Sequence, residues 1–225
     1  MIQTHPNLIQ GSEEWHAARC GLLTASEMHL IVTKAGRAAS NDKERAHVYE
    51  LAAQRISRYV EPSYIGDNML RGHDDEVQAR ILYEQHYSPV SDMGFITNDR
   101  WGFTLGCSPD GLVGDDGMIE CKSRRQKFQI ETIARQEVPA EHVIQVQTAL
   151  LVTERKWCDF ISYSGGLPMF VLRVYPDDKI QAAIVEAATA CEERIAAVMA
   201  QYRGWTEIAL PLIETERRVE QEMFV

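Results

Sequence analysis

The spacing of apolar positions changes along this chain, from helical in its first third to alternating in its middle and back to helical near its end. Ser12 precedes Glu13, Glu14 and Trp15, which predicts a short helix capped by the Ser12 hydroxyl. Thr24-Ala25-Ser26-Glu27 has the form of a capping box and predicts a second helix reaching about residue 32. A polar, glycine-containing loop over 33–41 follows. Val48, Leu51, Ala52, Ile56 and Tyr59 recur at helical spacing in a helix starting near Asp42. Val77, Ile81 and Leu82 give the buried stripe of another over 69–86. Strands are predicted over 93–96, 101–107 and 118–123. An amphipathic helix over 142–152 comes next, then strands over 158–163 and 169–175 joined by the Ser164-Gly165-Gly166 turn. A long helix over 177–202 uses Ile180, Ile184, Ala188, Cys191, Ile195 and Met199, with Gly204 closing it. This order gives an α/β fold with helices first and a mixed sheet with helices packed on it.

Composition narrows the class. At 225 residues, 45% hydrophobic and 25% charged, the chain is read as one large domain spanning 1–225. No apolar run approaches the roughly 18 residues that span a membrane. The N-terminus lacks a basic stretch followed by an apolar one, so a cytoplasmic location is expected. The five cysteines include no CxxC pair, which argues against zinc, iron–sulfur and disulfide frameworks. A net charge of −10 is unusual for a nucleic-acid binder. The charge is unevenly spread, however. Lys122, Arg124, Arg125, Lys127 and Arg135 face one acid, Glu131, whereas the chain beyond residue 177 is strongly acidic. A basic groove with an acidic exterior satisfies both.

The candidate chemistry centres on Ser108-Pro109-Asp110-Gly111, followed ten residues after the aspartate by Glu120-Cys121-Lys122. Gly114-Asp115-Asp116-Gly117 lies between them as a tight turn. Asp110 ends the preceding strand and can meet Glu120 across the hairpin. Strand alternation points Glu120 and Lys122 to one side, and Ile119 and Cys121 into the packing. Two carboxylates make a hard-oxygen site for Mg2+, and a lysine beside them orients or deprotonates a water, or stabilises the negative transition state. Those two lysine roles stay open, and a hairpin with surface charges accounts for the same residues. A second constellation is Arg19, Thr24 and Ser26, where a helix N-terminus, hydroxyls and a guanidinium suit an anion, with Ser108 within reach. Helix capping alone also accounts for Thr24. Trp15 and Met69 read as core residues or as a wedge between base pairs. Arg124, Arg125 and Lys127 read as backbone-phosphate contacts or a solvated loop.

The segments Trp15 to Glu27, Gly72-His73-Asp74-Asp75-Glu76, Gly106-Cys107-Ser108-Pro109-Asp110-Gly111, Glu120-Cys121-Lys122 and Gln145-Val146-Gln147 occur in this order. Together, from about Trp15 to near Tyr175, they resemble the phage lambda-type exonuclease family, also called the viral recombinase or alkaline exonuclease group, of the PD-(D/E)xK nuclease superfamily. The resemblance implies a restriction-endonuclease-like core, and metal ligation by Asp110, Glu120 and the Cys121 carbonyl. Catalytic roles are implied for Lys122, Glu76 and Gln145, with Gln147 facing DNA. It implies that Arg19, Thr24, Ser26 and Ser108 hold a terminal 5' phosphate. It also implies a processive 5'-to-3' exonuclease on double-stranded DNA that uses two Mg2+ ions, with Mn2+ able to substitute. Release of mononucleotides, a homotrimeric ring, a single-strand annealing partner and a phage or prophage source in a bacterial cell follow from the same likeness. Ala149 stands where the helicase-associated branch carries tyrosine. A restriction-type endonuclease and a non-enzymatic DNA-binding module are the alternatives.

Overall fold

Short apolar stretches separated by turns pair into two four-stranded mixed sheets, and helices cover both. The computed structural model describes residues 1–33, 36–61, 67–208 and 212–217; the side chains of residues 67–70 and 207 fall outside it. Met69, expected beside the site, lies in the latter group. The first sheet has the order β1 (Ile2–His5), β3 (Phe95–Asn98), β4 (Leu105–Cys107), β2 (Leu23–Thr24), with β2 parallel to β4. The second has the order β5 (Gly111–Val113), β6 (Gly117–Ser123), β7 (Trp157–Tyr163), β8 (Phe170–Val174). The expected single run of middle strands is thus divided between the sheets, since β4 and β5 belong to different ones. β6 and β7 are parallel, joined by a crossover through α4 (Gln126–Arg135) and α5 (Ala140–Thr153). Gly114, at φ +52°, makes the β5–β6 turn in a conformation that favours glycine.

The helix starts follow their caps. Ser12 Oγ accepts from the Trp15 amide at 3.2 Å and opens α1 (Glu13–Arg19). Asn41 caps α2 (Asp42–Ser57) through the amides of Lys43 and Glu44. Asp177 caps α6 (Asp178–Glu207). Gly204 does not close α6, which runs three residues further.

The 24–27 box opens no α-helix. Thr24 ends β2, and only a single 3-10 turn forms at Met28–Leu30. The reason lies in burial. Thr24 and Ala25 are sealed under β4, with the Ala25 amide bonded to the Gly106 carbonyl at 2.9 Å, so this stretch is spent on a sheet edge.

α3 (Asp67–His86) buries a different stripe from the one expected. Val77 and Ile81 are exposed, while Ala79 and Tyr83 are fully buried against β6 and β7 with Ile119, Cys121 and Ile161. A polar anchor sets that rotation. The Tyr83 hydroxyl donates to Asp159 Oδ2 at 2.6 Å, and Arg173 donates twice to the same carboxylate at 2.8 Å. Burying Tyr83 therefore fixes the face of α3 that meets the sheet, and with it the direction of Glu76. Tyr83→Phe is expected to lower the unfolding free energy by about 1–3 kcal/mol, because a buried carboxylate loses a donor. Urea denaturation measures this, and an unchanged midpoint would show that the anchor contributes nothing.

α5 lies between the two sheets, with Val146, Ala149, Leu150 and Val152 in the main core. Among the described residues no helix is long and apolar enough to cross a membrane.

Candidate active site

A cleft of about 210 Å³ opens where β4, β6, α1, α3 and α5 approach one another. The hydrolytic candidates come from one hairpin. Asp110 immediately precedes β5 rather than ending a strand before the turn. The Gly111↔Ile119 register still sets it across from Glu120. Asp110 Oδ2 accepts from the Cys121 amide at 2.5 Å, so the backbone of β6 orients it. Alternation along β6 does what the pattern required. Glu120 and Lys122 share a face, with Nζ 2.5 Å from Oε1, while Ile119 and Cys121 pack under α3. The Cys121 thiol is buried there, and burial pushes its pKa up, so the sulfur stays protonated and only its carbonyl is suited to a cation.

Two helices complete the cluster. Gln145 on α5 donates to Glu120 Oε1 at 2.6 Å. Glu76 lines the cleft from α3, three and seven residues before Ala79 and Tyr83 and on their face of the helix. The Arg80 guanidinium, one turn on, would neutralise Glu76 on a solvated helix; instead it bonds Asp92 at 2.5 Å and the Val90 carbonyl at 3.0 Å. Asp75 points away from the cluster and accepts from Ser123 Oγ at 2.5 Å.

These groups perturb one another in a consistent direction. Burial, then the charges of Glu120 and Glu76, push the Asp110 carboxyl well up from its ordinary range. Burial and Glu120 push Glu76 up as well. Burial alone would lower Lys122, but Glu120, Asp110 and Glu76 outweigh it and hold the ammonium above its usual range. More negative charge is gathered here than one lysine balances, which is the electrostatic condition for a cation site. The donor set is hard oxygen without imidazole or thiolate, and suits Mg2+ or Mn2+ rather than zinc. Among the described residues no three carboxylate, imidazole or thiol groups yet converge on one point. One oxygen each of Asp110 and Glu120 is committed to the bonds just described. Asp110, Glu120, Glu76 and the Cys121 carbonyl could hold the ion once Lys122 gives way at Glu120.

The anion candidates line the same cleft. Arg19 Nη2 lies 3.1 Å from Thr24 Oγ1, and Thr24 Oγ1 lies 3.3 Å from Ser26 Oγ. Trp15 is buried, donates from Nε1 to Ser108 Oγ at 2.8 Å, and carries the Arg19 guanidinium 4.4 Å above its ring. It is both core and brace. With no α-helix after Thr24, the expected helix N-terminus is absent from this anchor, and hydroxyls and the guanidinium carry it alone.

Four of the expected residues lie outside the cleft. Gln147 is corrected: it is 3% exposed, and its amide is consumed by the Tyr175 carbonyl at 2.9 Å and the Asp177 amide at 2.9 Å. It ties α5 to the start of α6 and cannot face DNA. Arg124 is largely buried and bonds Glu141 at 2.6 Å and His142 at 3.0 Å. Arg125 and Lys127 are exposed at the N-terminal end of α4. The sequence pattern did not point to Gln10, which lines the cleft, or to Glu27, which bonds Arg19 and Thr24 at its edge. Gln10 carries no signal in its neighbourhood, and Glu27 was hidden by the capping-box pattern.

An α/β core with paired carboxylates and a lysine on a central hairpin defines a nuclease fold of the PD-(D/E)xK kind. Residues 14–156 match the YqaJ-like viral recombinase domain, and the chain belongs to that family. The structure is similar to an alkaline exonuclease, LHK-Exo, from Laribacter hongkongensis. The likeness has 32% identity and a TM-score of 0.78, over 88% of this chain and 100% of that one. The same enzyme in complex with dAMP gives 33% identity and a TM-score of 0.79, over 88% and 100% of the two chains. A phage-related exonuclease from Haemophilus somnus 129PT shares the fold at 13% identity and a TM-score of 0.58, over 80% of this chain and 96% of that one. No curated protein matches the chain.

Proposed function

We propose that this protein is a Mg2+-dependent exonuclease that degrades one strand of duplex DNA 5' to 3' from a phosphorylated end. It releases mononucleotides and leaves a 3' single strand for annealing. The observation that carries this reading is the sharing of one cleft by the carboxylate–lysine cluster and the Arg19–Thr24–Ser26 anchor, coupled through the Trp15–Ser108 bond. An endonuclease on the same core has no use for an anchor for a free end in the same cleft as its hydrolytic groups.

A divalent ion bound by Asp110, Glu120, Glu76 and the Cys121 carbonyl would polarise the scissile phosphate and make a water acidic enough to attack. The chain's own residues do the rest. Gln145 holds the Glu120 carboxylate in one orientation. Lys122, kept protonated by its neighbours, sets positive charge beside the phosphate oxygens as charge develops on them. Arg19 and the hydroxyls fix the end, so that the reacting bond arrives at a constant distance. Arg125 and Lys127, at the positive end of α4, contact backbone phosphates further along the duplex.

Arg19→Ala, compared with wild type on 5'-phosphoryl and 5'-hydroxyl ends, tests the reading. Wild type is expected to prefer the phosphoryl end, to stop in EDTA and to spare a closed circular duplex. The variant is expected to lose about ten- to a hundred-fold on phosphoryl ends, the worth of one charge-assisted bond, and little on hydroxyl ends. Equal loss on both would make Arg19 a structural residue, and cutting of the closed circle would favour an endonuclease. A chain of net charge −10 needs its basic surface concentrated around the DNA. A homotrimeric ring working beside an annealing protein supplies this, and light scattering should give three chain masses; a monomer that still digests long duplex processively refutes the ring.

A further inference from the structure

Arg19 and Thr24, the donors best placed for a terminal phosphate, already hold an anion supplied by the chain itself. Glu27 Oε2 accepts from Arg19 Nη2 at 3.0 Å and from Thr24 Oγ1 at 2.8 Å. The ion pair is half-buried, with Arg19 18% and Glu27 32% exposed, so the carboxylate already borders solvent. Glu27 sits on the turn that leads into the 3-10 segment, with its amide on the Thr24 carbonyl at 3.1 Å. Its backbone is therefore fixed beside the anchor whichever way the side chain points.

We propose that Glu27 is an internal competitor for the terminal phosphate, and so sets how tightly the anchor grips an end and how readily it lets the product go. The proposal rests on the 5'-phosphate reading above and deepens it. The chemistry is a difference in charge. A terminal phosphate carries about −1.5 to −2 at neutral pH and offers three acceptor oxygens, enough to displace a single carboxylate from Arg19 and Thr24. An internal phosphodiester, with one charge, gains little by the exchange, and a hydroxyl end gains nothing. With Glu27 in reach, Arg19 is never left buried without a partner, so ends lacking phosphate incur no penalty from an empty guanidinium. The same return of Glu27 acts after hydrolysis. The mononucleotide leaves carrying the phosphate that the anchor held, and the carboxylate restores the lost bonds. Tight end recognition and fast product release would otherwise oppose each other, because both are made at the same donors.

Glu27→Gln separates charge from hydrogen bonding, since the amide oxygen still accepts from both donors. Binding of dAMP and of inorganic phosphate to the EDTA-treated protein is measured by calorimetry, with deoxyadenosine as the ligand that lacks the phosphate. The melting temperature of each variant verifies folding. Glu27→Gln is expected to bind dAMP and phosphate about ten-fold or more tighter than wild type, with deoxyadenosine binding unchanged. Glu27→Ala should tighten dAMP binding too, because it also removes the competing charge. Equal dAMP affinity in wild type and Glu27→Gln overturns the proposal. Weaker binding in both variants overturns it as well, and makes Glu27 a brace for Arg19. If wild type itself binds dAMP no better than deoxyadenosine, the phosphate anchor fails, and the competitor fails with it.

Discussion

Asp110→Asn is expected to slow duplex digestion by at least about a thousand-fold, while raising the melting temperature of the protein in EDTA. The activity loss follows from removing a charged ligand whose electrostatic work falls on the transition state; the loss of even one preorganised stabilising group costs 10²–10³. The stability gain follows from burial. Asp110 is enclosed with Glu120 and Glu76, and without a cation its charge is opposed by both. The amide keeps the acceptor for the Cys121 N–H and removes the repulsion. The sign in pH is fixed by the upward shift. Relative to neutral pH, the contribution of Asp110 to metal-free stability is fully present below its ordinary value of 3.8 and is lost as pH climbs through the raised folded value. The gain from Asp110→Asn should therefore be small in acid and grow toward neutral pH. Added Mg2+ should raise the melting temperature of wild type and much less that of the variant. Thermal melts at several pH values, with and without Mg2+, check this. A variant less stable than wild type in EDTA would show that Asp110 is held by favourable bonds that outweigh its burial, and near-normal digestion would remove it from the site.

Lys122→Met is the second large effect, expected at about a hundred- to a thousand-fold in turnover with DNA binding largely kept. Methionine preserves the unbranched stem, so packing is little disturbed, and the charge alone is lost. The geometry favours one of the two roles open for this lysine. A general base must release its proton near the working pH. Lys122 lies 2.5 Å from Glu120 and is pushed upward by three carboxylates. It is expected to act as a cation, and the turnover of the variant should not recover as pH is raised. Turnover within a few-fold of wild type, or recovery at high pH, would sink the assignment.

Much of this was legible because the signals were local. The hairpin announced itself through Asp110, Gly114 and the Glu120–Lys122 alternation, and the sheet register needed nothing else to bring the two carboxylates together. The cap at Ser12 fixed a helix start by the same short-range logic. The failures come from partners far away in sequence. α4 was missed because its buried face is polar. Gln129 donates to the Ser162 and Pro168 carbonyls at 3.0 and 2.8 Å, while Phe128 and Ile130 face outward, inverting the pattern that periodicity reads. The stripe of α3 was misjudged because the Tyr83–Asp159 bond, spanning 76 residues, rotates the helix against its aliphatic positions. Gln147 looked free for the same reason, since its partners lie 28 and 30 residues downstream.

The cleft draws its walls from chain positions that leave the ribosome at different times. Arg19, Thr24 and Ser26 are made first, Glu76 next, then the hairpin from Asp110 to Lys122, and Gln145 last. A nascent chain ending anywhere before α5 can include the anchor and the carboxylates, yet lacks the amide that orients Glu120 and the helix that separates the two sheets. A product truncated before α5 therefore lacks part of the candidate site, whereas one ending after Thr153 has all of its residues but not the strands and the long helix that follow.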